Sequence, residues 1–290
     1  TAKEPQKIDK NLYIFSFQKE KEEINVLLAK HEDLSIAIEI EKLENTYAFK
    51  PIKQNIPRIF CAFPLIGTEA FYFPFVVNSD KFVPKTERDK LYLKGNTKDT
   101  DRNKTILLQA VDLYKKVIRF ASKNKWKNFY VVADVKLPKQ DEDLNSFWYQ
   151  NNIQKNIRRF LSIIPIVETE KGNLIAIATY LSNPITFFPF DAELAIREKI
   201  WQFSFDLYPN RLPKKADIHF WYNLLWNGCY RQTLPILAEQ DIATLKTIEN
   251  LSKKLNRNLE DTYIWLNKLC LFFEKEKPEI FNSCLLYTSP

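Results

Sequence analysis

Residues 34–41 read LSIAIEIE, and apolar side chains in this stretch alternate with smaller or charged ones. The alternating residues are Leu34, Ile36, Ile38 and Ile40. Because successive side chains of a β-strand point to opposite faces, all of them would face the same side of an extended chain. A strand with one buried and one wetted face is typical of antiparallel sheets. The stretch therefore predicts a half-buried antiparallel strand.

Other strand-like runs lie on both sides of this one. They are LYIFSF (12–17), INVLLA (24–29), TYAFKPI (46–52), PRIFCAFPL (57–65) and AFYFPFVV (70–77). Pro74, inside the last run, has no N–H to donate to a sheet, so this run is expected at an edge or a bulge. The N-terminal part is therefore expected to be β-rich.

After Asp101 the apolar residues follow the spacing of an α-helix. A long amphipathic helix is predicted from about residue 104 to 123, with Asp101 or Asn103 as its cap. The run NFYVVADV (128–135) is short enough to be either a strand or a buried helical turn.

Helical patterning returns near 146–163, and two short strands around Lys171-Gly172 are predicted to form a hairpin. Asp241 is the predicted cap of one of the later helices. These later helical segments are expected near 191–204, 215–227, 240–256 and 260–275.

The predicted fold class is α+β, with an antiparallel, β-rich N-terminal part, then a mixed part and then a mainly α-helical part. The three regions are expected at 1–98, 99–190 and 191–282. Residues 283–290 (SCLLYTSP) show no helical pattern and are interpreted as a non-native tail. The sequence holds no methionine, so we expect it to be a fragment of a longer protein.

The composition is typical of a folded protein and not of a membrane-spanning one. The chain has 290 residues, of which 45% are hydrophobic and 14% aromatic, enough for a sizeable core. It has no apolar run of about 18 residues, so we expect no membrane span and a cytoplasmic location. Its 43 basic and 36 acidic residues give a net charge of +7, but the two signs are interspersed. A dedicated nucleic-acid surface is therefore the less favoured interpretation.

Common catalytic and metal-binding motifs are missing from the sequence. The glycines, which are too dispersed for a phosphate-binding loop, are Gly67, Gly95, Gly172 and Gly228. The cysteines form no CxxC pair, so neither a zinc site nor a dense disulfide framework is predicted. We expect His31 in a surface loop, His219 packed on a helix, and Asp141-Glu142-Asp143 in a solvated loop.

An aromatic cluster stands out in the N-terminal part. Its members are Phe60, Phe63, Phe71, Tyr72, Phe73 and Phe75. Aromatic side chains that stack on nucleic-acid bases are usually interleaved with Lys and Arg, whereas Arg58 is the nearest cation here. Core packing is therefore the favoured interpretation of this cluster.

The stretch from Arg58 to Leu93 reads RIFCAFPLIGTEAFYFPFVVNSDKFVPKTERDKLYL. It joins an apolar strand, a small loop at 67–69, a second strand, the turn Asn78-Ser79 and the basic Arg88-Asp89. This order resembles a segment of bacterial sacsin-like proteins, which are heat-shock-chaperone-related members of the GHKL ATPases. Weaker likenesses downstream, in WYQNNIQKNIR, IREKIW and IHFWYNLLW, extend the resemblance over roughly residues 10–280.

The resemblance implies a longer protein in which an upstream GHKL domain binds ATP and Mg²⁺, and in which this chain couples that pocket to the rest of the molecule. The family's nucleotide motifs have no counterpart here, so neither a bound cofactor nor catalysis is expected of this chain alone. The nominated catalytic residue is Arg88, because a basic side chain that follows a GHKL domain can reach the terminal phosphate. The implied partners are the ATPase domain and protein clients.

Two other classes of function stay open. The chain could be a nucleic-acid-associated or protein-interaction module of a large bacterial defence-type protein, with its positive charge facing phosphates. It could also be a structural adaptor that docks partners through its C-terminal helices. An exposed Trp221 or Trp226 within an apolar patch would favour the adaptor.

Overall fold

A computed structural model of the protein describes residues 4–19, 22–71, 73–136, 143–181, 183, 185–189, 191–226, 245 and 247–276. An antiparallel-rich sheet comes first in the chain and a mostly helical part follows, so the fold class is α+β as the sequence predicts. Within the described ranges, no helix combines the length and the apolar character that a bilayer span requires.

The N-terminal sheet contains eight strands. They are β1 (Gln6–Asp9), β2 (Leu12–Lys19), β3 (Glu22–His31), β4 (Leu34–Lys42), β5 (Tyr47–Phe49), β6 (Ile59–Cys61), β7 (Phe63–Pro64) and β8 (Val76–Ser79). Their order is β1-β2-β3-β4-β8-β6-β7, and β5 also pairs with β4. Most neighbours are antiparallel, while β6 and β8 run parallel. The ends of β6 and β8 therefore lie at the same edge of the sheet.

The alternation in β4 is confirmed. Its even-numbered apolar residues are buried, and most of the residues between them are half-buried. Ile36 lies opposite Ala29 on β3 and Val77 on β8, which are also buried. Full burial of such a side chain stabilises a fold by about 1.5–3 kcal/mol, so this face fixes the register of the sheet.

The strands predicted at 57–65 and 70–77 are shorter than expected. The second run becomes a 3₁₀ turn (Thr68–Ala70) and an irregular segment, and pairing starts only at Val76. Pro74 precedes β8, which is an interior strand between β4 and β6, where a missing N–H would break the ladder. The first run divides at Ala62, whose φ of 60° interrupts the extended backbone.

The long helix α1 (Lys98–Lys123) packs against β3 and β4. Its cap is Thr97, whose side chain accepts a hydrogen bond from the Thr100 N–H at 3.2 Å. The prediction that Asp101 or Asn103 caps this helix is wrong, since both lie inside it. Thr, Asp and Asn all favour the cap position, so the sequence pattern did not separate them.

The mixed part combines short helices with a hairpin. Its elements are α2 (Phe129–Ala133), α3 (Ser146–Tyr149), a π-helical turn (Gln150–Gln154), α4 (Lys155–Ile163), β9 (Val167–Glu168) and β10 (Leu174–Ile175). The run at 128–135 is thus the buried helical turn rather than a strand. The hairpin is confirmed, and Gly172 supplies its positive φ of 74°.

The C-terminal elements are α5 (Leu194–Leu207), a 3₁₀ turn (Lys215–Asp217), α6 (Ile218–Trp226), α7 (Ile248–Leu255) and α8 (Leu259–Glu276). The cap of α7 is Thr247, whose side chain accepts from the Asn250 N–H at 3.3 Å. Asp241, the predicted cap, lies outside the described residues, as does the 283–290 tail. The three-region division stays a prediction.

Candidate functional site around Arg88

Arg88 lies at the tip of a loop that connects β8 to α1. The Lys85 N–H donates to the Lys90 carbonyl and the Arg88 N–H donates to the Lys85 carbonyl, each at 2.9 Å. An isolated antiparallel bridge between Pro84 and Leu91 closes the same loop. Arg88 is exposed and has a φ of 55°, in the left-handed region. The turn therefore presents its side chain outward from a defined backbone.

Asn103 on α1 holds both arms of this loop. Its Oδ1 accepts from the Val83 N–H at 2.8 Å, and its Nδ2 donates to the carbonyls of Val83 at 2.9 Å and Tyr92 at 3.2 Å. The residue is fully buried, so these bonds are shielded from water. The loop is thereby tied to the first turns of α1.

The guanidinium of Arg88 reaches the edge of the sheet. Its Nη2 donates to the Cys61 carbonyl, at the end of β6, at 3.1 Å. The Cys61 thiol in turn lies 3.4 Å from the Phe82 carbonyl, at the start of the loop. Among the described residues Arg88 forms no ion pair with a carboxylate, and its Nη2 bonds to a neutral carbonyl.

A close backbone contact fixes the other side of the loop. Gly67 has a φ of 117°, and a Cβ added to it would lie 3.1 Å from the Asp89 carbonyl oxygen. Only glycine fits this approach without a shift of the loop. Asp89 also has a buried Oδ1 atom that finds no hydrogen-bond partner in the described part of the chain.

The two lysines that flank Arg88 share one carboxylate. Asp143 Oδ1 lies 2.5 Å from Lys85 Nζ, and its Oδ2 lies 3.8 Å from Lys90 Nζ. The hydrogen bond from Lys85 is the main reason that the pKa of Asp143 is lowered, and the same bond raises the pKa of Lys85. Asp143 is thus an ion-pair partner rather than part of a merely solvated loop, whereas Asp141 and Glu142 lie outside the described residues.

Two exposed apolar side chains lie in the segment between Cys61, which accepts the bond from Arg88, and Gly67, which approaches Asp89. Phe63 is 71% exposed and Ile66 is 72% exposed, and both lie between Cys61 and Gly67 in the chain. The expectation that Phe63 belongs to the core is wrong, because it lies on the two-residue edge strand β7. The cation and these side chains together form the Arg88 face, defined here as Phe63, Ile66 and Arg88.

The remaining aromatic cluster behaves largely as expected. Phe71, Phe73 and Phe75 are buried in the main core and Phe60 is half-buried, while Tyr72 lies outside the described residues. Phe73 and Phe75 stack with ring centroids 5.1 Å apart. Their faces are therefore used in packing rather than in stacking on nucleic-acid bases.

The two histidines lie on other elements. His31 is exposed at the end of β3, and His219 is an exposed residue on α6. His219 Nδ1 lies 3.2 Å from Arg197 Nη2, and its Nε2 lies 3.2 Å from Asn223 Nδ2. Within the described ranges, no group of three or more His, Cys, Asp or Glu side chains is placed to hold a metal ion.

The tryptophans give the adaptor hypothesis no support from the described side chains. Trp221 is 1% exposed and packs on Tyr130 and Phe188. The side chain of Trp226 lies outside the described part of the chain.

Sequence reasoning missed several residues that build the site. The role of Asn103 was mistaken for that of a cap, and Cys61, Gly67 and Asp143 were not connected with Arg88. Gly67 carried a usable signal, because it is one of four glycines and lies within the stretch from Arg58 to Leu93 that carries the resemblance. The chain matches no protein-family model, no curated protein and no solved structure.

Proposed function

We propose that this chain is the coupling segment of a sacsin-like GHKL ATPase, in which Arg88 contacts the terminal phosphate of ATP held by an upstream domain. The observation that carries the proposal is the state of Arg88: it is exposed, is fixed on an ordered turn, and has no paired carboxylate among the described residues. An arginine in that state is available to an incoming anion.

The chemistry of the guanidinium fits this role. A planar arginine fork binds phosphate through charge-assisted hydrogen bonds, which are stronger than bonds between neutral groups. Its bond to the neutral Cys61 carbonyl can be exchanged for a bond to phosphate at little cost. The charge would then act where negative charge develops in the transition state of phosphoryl transfer.

The surroundings of Arg88 support a coupling role. Asn103 ties the loop to α1, a 26-residue helix that packs on β3 and β4. A displacement of the loop on ATP binding would therefore act on this long helix and on the sheet. Packed elements of this kind shift between discrete arrangements rather than deforming continuously.

The proposal also specifies cofactor, partners and location. ATP and Mg²⁺ would be bound by the upstream domain, and the Arg88 face would contact that domain, with Phe63 and Ile66 covered on closure. Protein clients of a chaperone-like ATPase would be the further partners. A cytoplasmic location, where ATP is available, completes the proposal.

The test compares this chain with a longer protein that carries the upstream GHKL domain. We expect ATP binding only in the longer form, measured by calorimetry. In that form Arg88→Ala should lower kcat by about 10²-fold while it changes the Kd for ATP by less than about threefold. Arg119→Ala, which removes an exposed arginine from α1, is the matched control and should leave kcat unchanged.

Three outcomes would reject the proposal. Binding of ATP by the short chain would place the nucleotide site within it, and unchanged hydrolysis by the Arg88→Ala variant would remove Arg88 from the reaction. A longer form that binds no ATP would also end the proposal. Salt-dependent binding of single-stranded nucleic acid to the short chain would then be measured for the alternative module.

A further inference from the structure

A cavity of about 510 Å³ lies beside β6 and α2. None of the residues that hold Arg88 lines it, so it is separate from the site described above. Its volume is within the range of about 300–1,000 Å³ that is typical of small-molecule sites. Its wall includes Arg58, which immediately precedes β6 and is only 7% exposed.

Arg58 is a buried cation that has no counter-ion among the described residues. Its Nη1 donates to the carbonyls of Ile56 at 2.5 Å and Lys53 at 3.3 Å, and its Nε is buried without a hydrogen-bond partner. Among the described residues Arg58 forms no ion pair. Burial lowers its pKa, and the more distant charge of Glu69 opposes this effect only in part.

A structural role accounts for only part of this arrangement. The bonds to loop carbonyls explain why a donor is placed at Arg58, but these bonds do not require a full positive charge. A buried charge without a counter-ion is costly, because its lost hydration is replaced here only by bonds to neutral carbonyls. An anion that enters the cavity would supply the missing counter-charge.

Both lysines of the wall already form ion pairs. Lys50 Nζ lies 3.2 Å from Glu39 Oε1, and Lys136 Nζ lies 2.9 Å from Asp134 Oδ2. With Glu39 counted as the partner of Lys50, three carboxylates (Glu39, Glu69 and Asp134) match the three cations (Lys50, Arg58 and Lys136) in number. The two ion pairs leave Arg58 and Glu69 as the charged groups of the wall that form none among the described residues. A ligand with a single negative charge would pair with Arg58, whereas a dianion would be repelled more strongly by Glu69 and Asp134.

The rest of the wall is largely apolar. Ile52, Phe73 and Val131 line the cavity together with two prolines. An apolar ligand body would bury surface against these side chains, which adds roughly 25 cal/mol per Å² of area removed from water.

We propose that this cavity binds a small monocarboxylate with an apolar body, with the carboxylate against the Arg58 guanidinium. Arg58 is then the anchor, and the apolar wall selects the body of the ligand. This binding does not depend on ATP or on an upstream domain, so its test is independent of the function proposed above.

Benzoate is the probe for this site, and its binding to the full chain is measured by titration calorimetry. We expect Arg58→Met, which keeps an unbranched apolar side chain and removes the guanidinium, to weaken benzoate binding at least about tenfold. Val131→Trp, which fills the cavity from the wall formed by α2, should weaken it by a similar factor. Arg119→Met, which removes one exposed positive charge outside the cavity, is the matched control and should leave the affinity unchanged.

Neutral benzamide tests whether the ligand needs a negative charge, and inorganic phosphate tests whether it needs an apolar body. Benzamide should bind at least about tenfold more weakly than benzoate, since it lacks the charge, and phosphate should also bind more weakly. Circular dichroism checks the fold of each variant, and Val131→Trp decides the question if Arg58→Met does not fold. The proposal is overturned if the chain does not bind benzoate, if Val131→Trp binds it with full affinity, or if benzamide or phosphate binds as tightly.

Discussion

The side-chain amide of Asn103 pairs with the backbone of Val83 in both directions, since Oδ1 accepts from its N–H at 2.8 Å and Nδ2 donates to its carbonyl at 2.9 Å. An asparagine side chain here replaces the strand that would otherwise pair with this segment. The segment is thereby held against α1 although it belongs to no sheet.

Asn103→Ala should destabilise the protein by about 2–4 kcal/mol, because it leaves the backbone N–H of Val83 and two carbonyls without their partner. The free energy of unfolding is measured by urea titration. Asn124→Ala is the control, since Asn124 is exposed and its Nδ2 bonds only within the end of α1, to the Phe120 carbonyl. If the two variants lose the same free energy of unfolding, to within about 0.5 kcal/mol, then the hydrogen bonds of Asn103 do not hold the loop.

Gly67→Ala and Gly95→Ala separate a steric contact from backbone strain. Both glycines have positive φ, but an added Cβ at Gly67 meets the Asp89 carbonyl at 3.1 Å, while at Gly95 it meets nothing within 4 Å. We expect a loss of about 1 kcal/mol at Gly95 and roughly 2–4 kcal/mol at Gly67. Equal losses in thermal or urea unfolding would show that the contact with Asp89 yields without cost.

Two buried tyrosines should respond oppositely to removal of the hydroxyl. The Tyr114 hydroxyl donates to the Val132 carbonyl at 2.8 Å, whereas the Tyr149 hydroxyl is fully buried with no partner in the described part of the chain. Tyr114→Phe should therefore cost about 1 kcal/mol, and Tyr149→Phe should be neutral or stabilising by up to about 1 kcal/mol. A large loss in Tyr149→Phe would reveal a partner for that hydroxyl.

Asp217 should make the protein less stable as the pH rises. Burial is the main reason that its pKa is raised from 3.8 to about 6, and Glu168 and Glu170 add to the effect. The folded state thus binds this proton more tightly than the unfolded state, so stability falls between pH 3.8 and about 6. Asp217→Asn removes the cost of burying an ionised carboxyl. After allowance for partial exposure, the variant should be more stable than the parent by roughly 1 kcal/mol at pH 7, and this gain should disappear near pH 4.

Asp143→Asn should change the stability with the opposite pH dependence. The pKa of Asp143 lies below its ordinary value of 3.8 because Lys85 hydrogen-bonds to it. Its contribution to stability is present above that ordinary value and is lost as the pH falls through the lower folded value. The variant should therefore be less stable at neutral pH and equal to the parent in acid, as followed by urea unfolding. The same pH trend in both variants would contradict one of the two assignments.

The sequence predicted those elements whose burial alternates or repeats along a single segment. The face of β4 is encoded in consecutive residues, so the pattern at 34–41 sufficed. The hydrogen bonds of Asn103 with Val83 join residues 20 positions apart, and the bond from Arg88 to Cys61 joins residues 27 positions apart. No local pattern encodes such pairs, and Arg88 itself was nominated only through a family resemblance.

The strand order also sets the distance between β1 and β6, the strand that ends at Cys61. From β1 to β6, which carries Cys61, there are five strand-to-strand steps in the order β1-β2-β3-β4-β8-β6. At about 4.8 Å a step the sheet spans roughly 24 Å between them. In the function proposed above, a domain joined to the chain ahead of β1 would have to reach across this width for its nucleotide to meet Arg88. At about 3.4 Å per extended residue, a connecting peptide shorter than roughly seven residues would not cover the distance, so the domain would have to extend over the sheet itself.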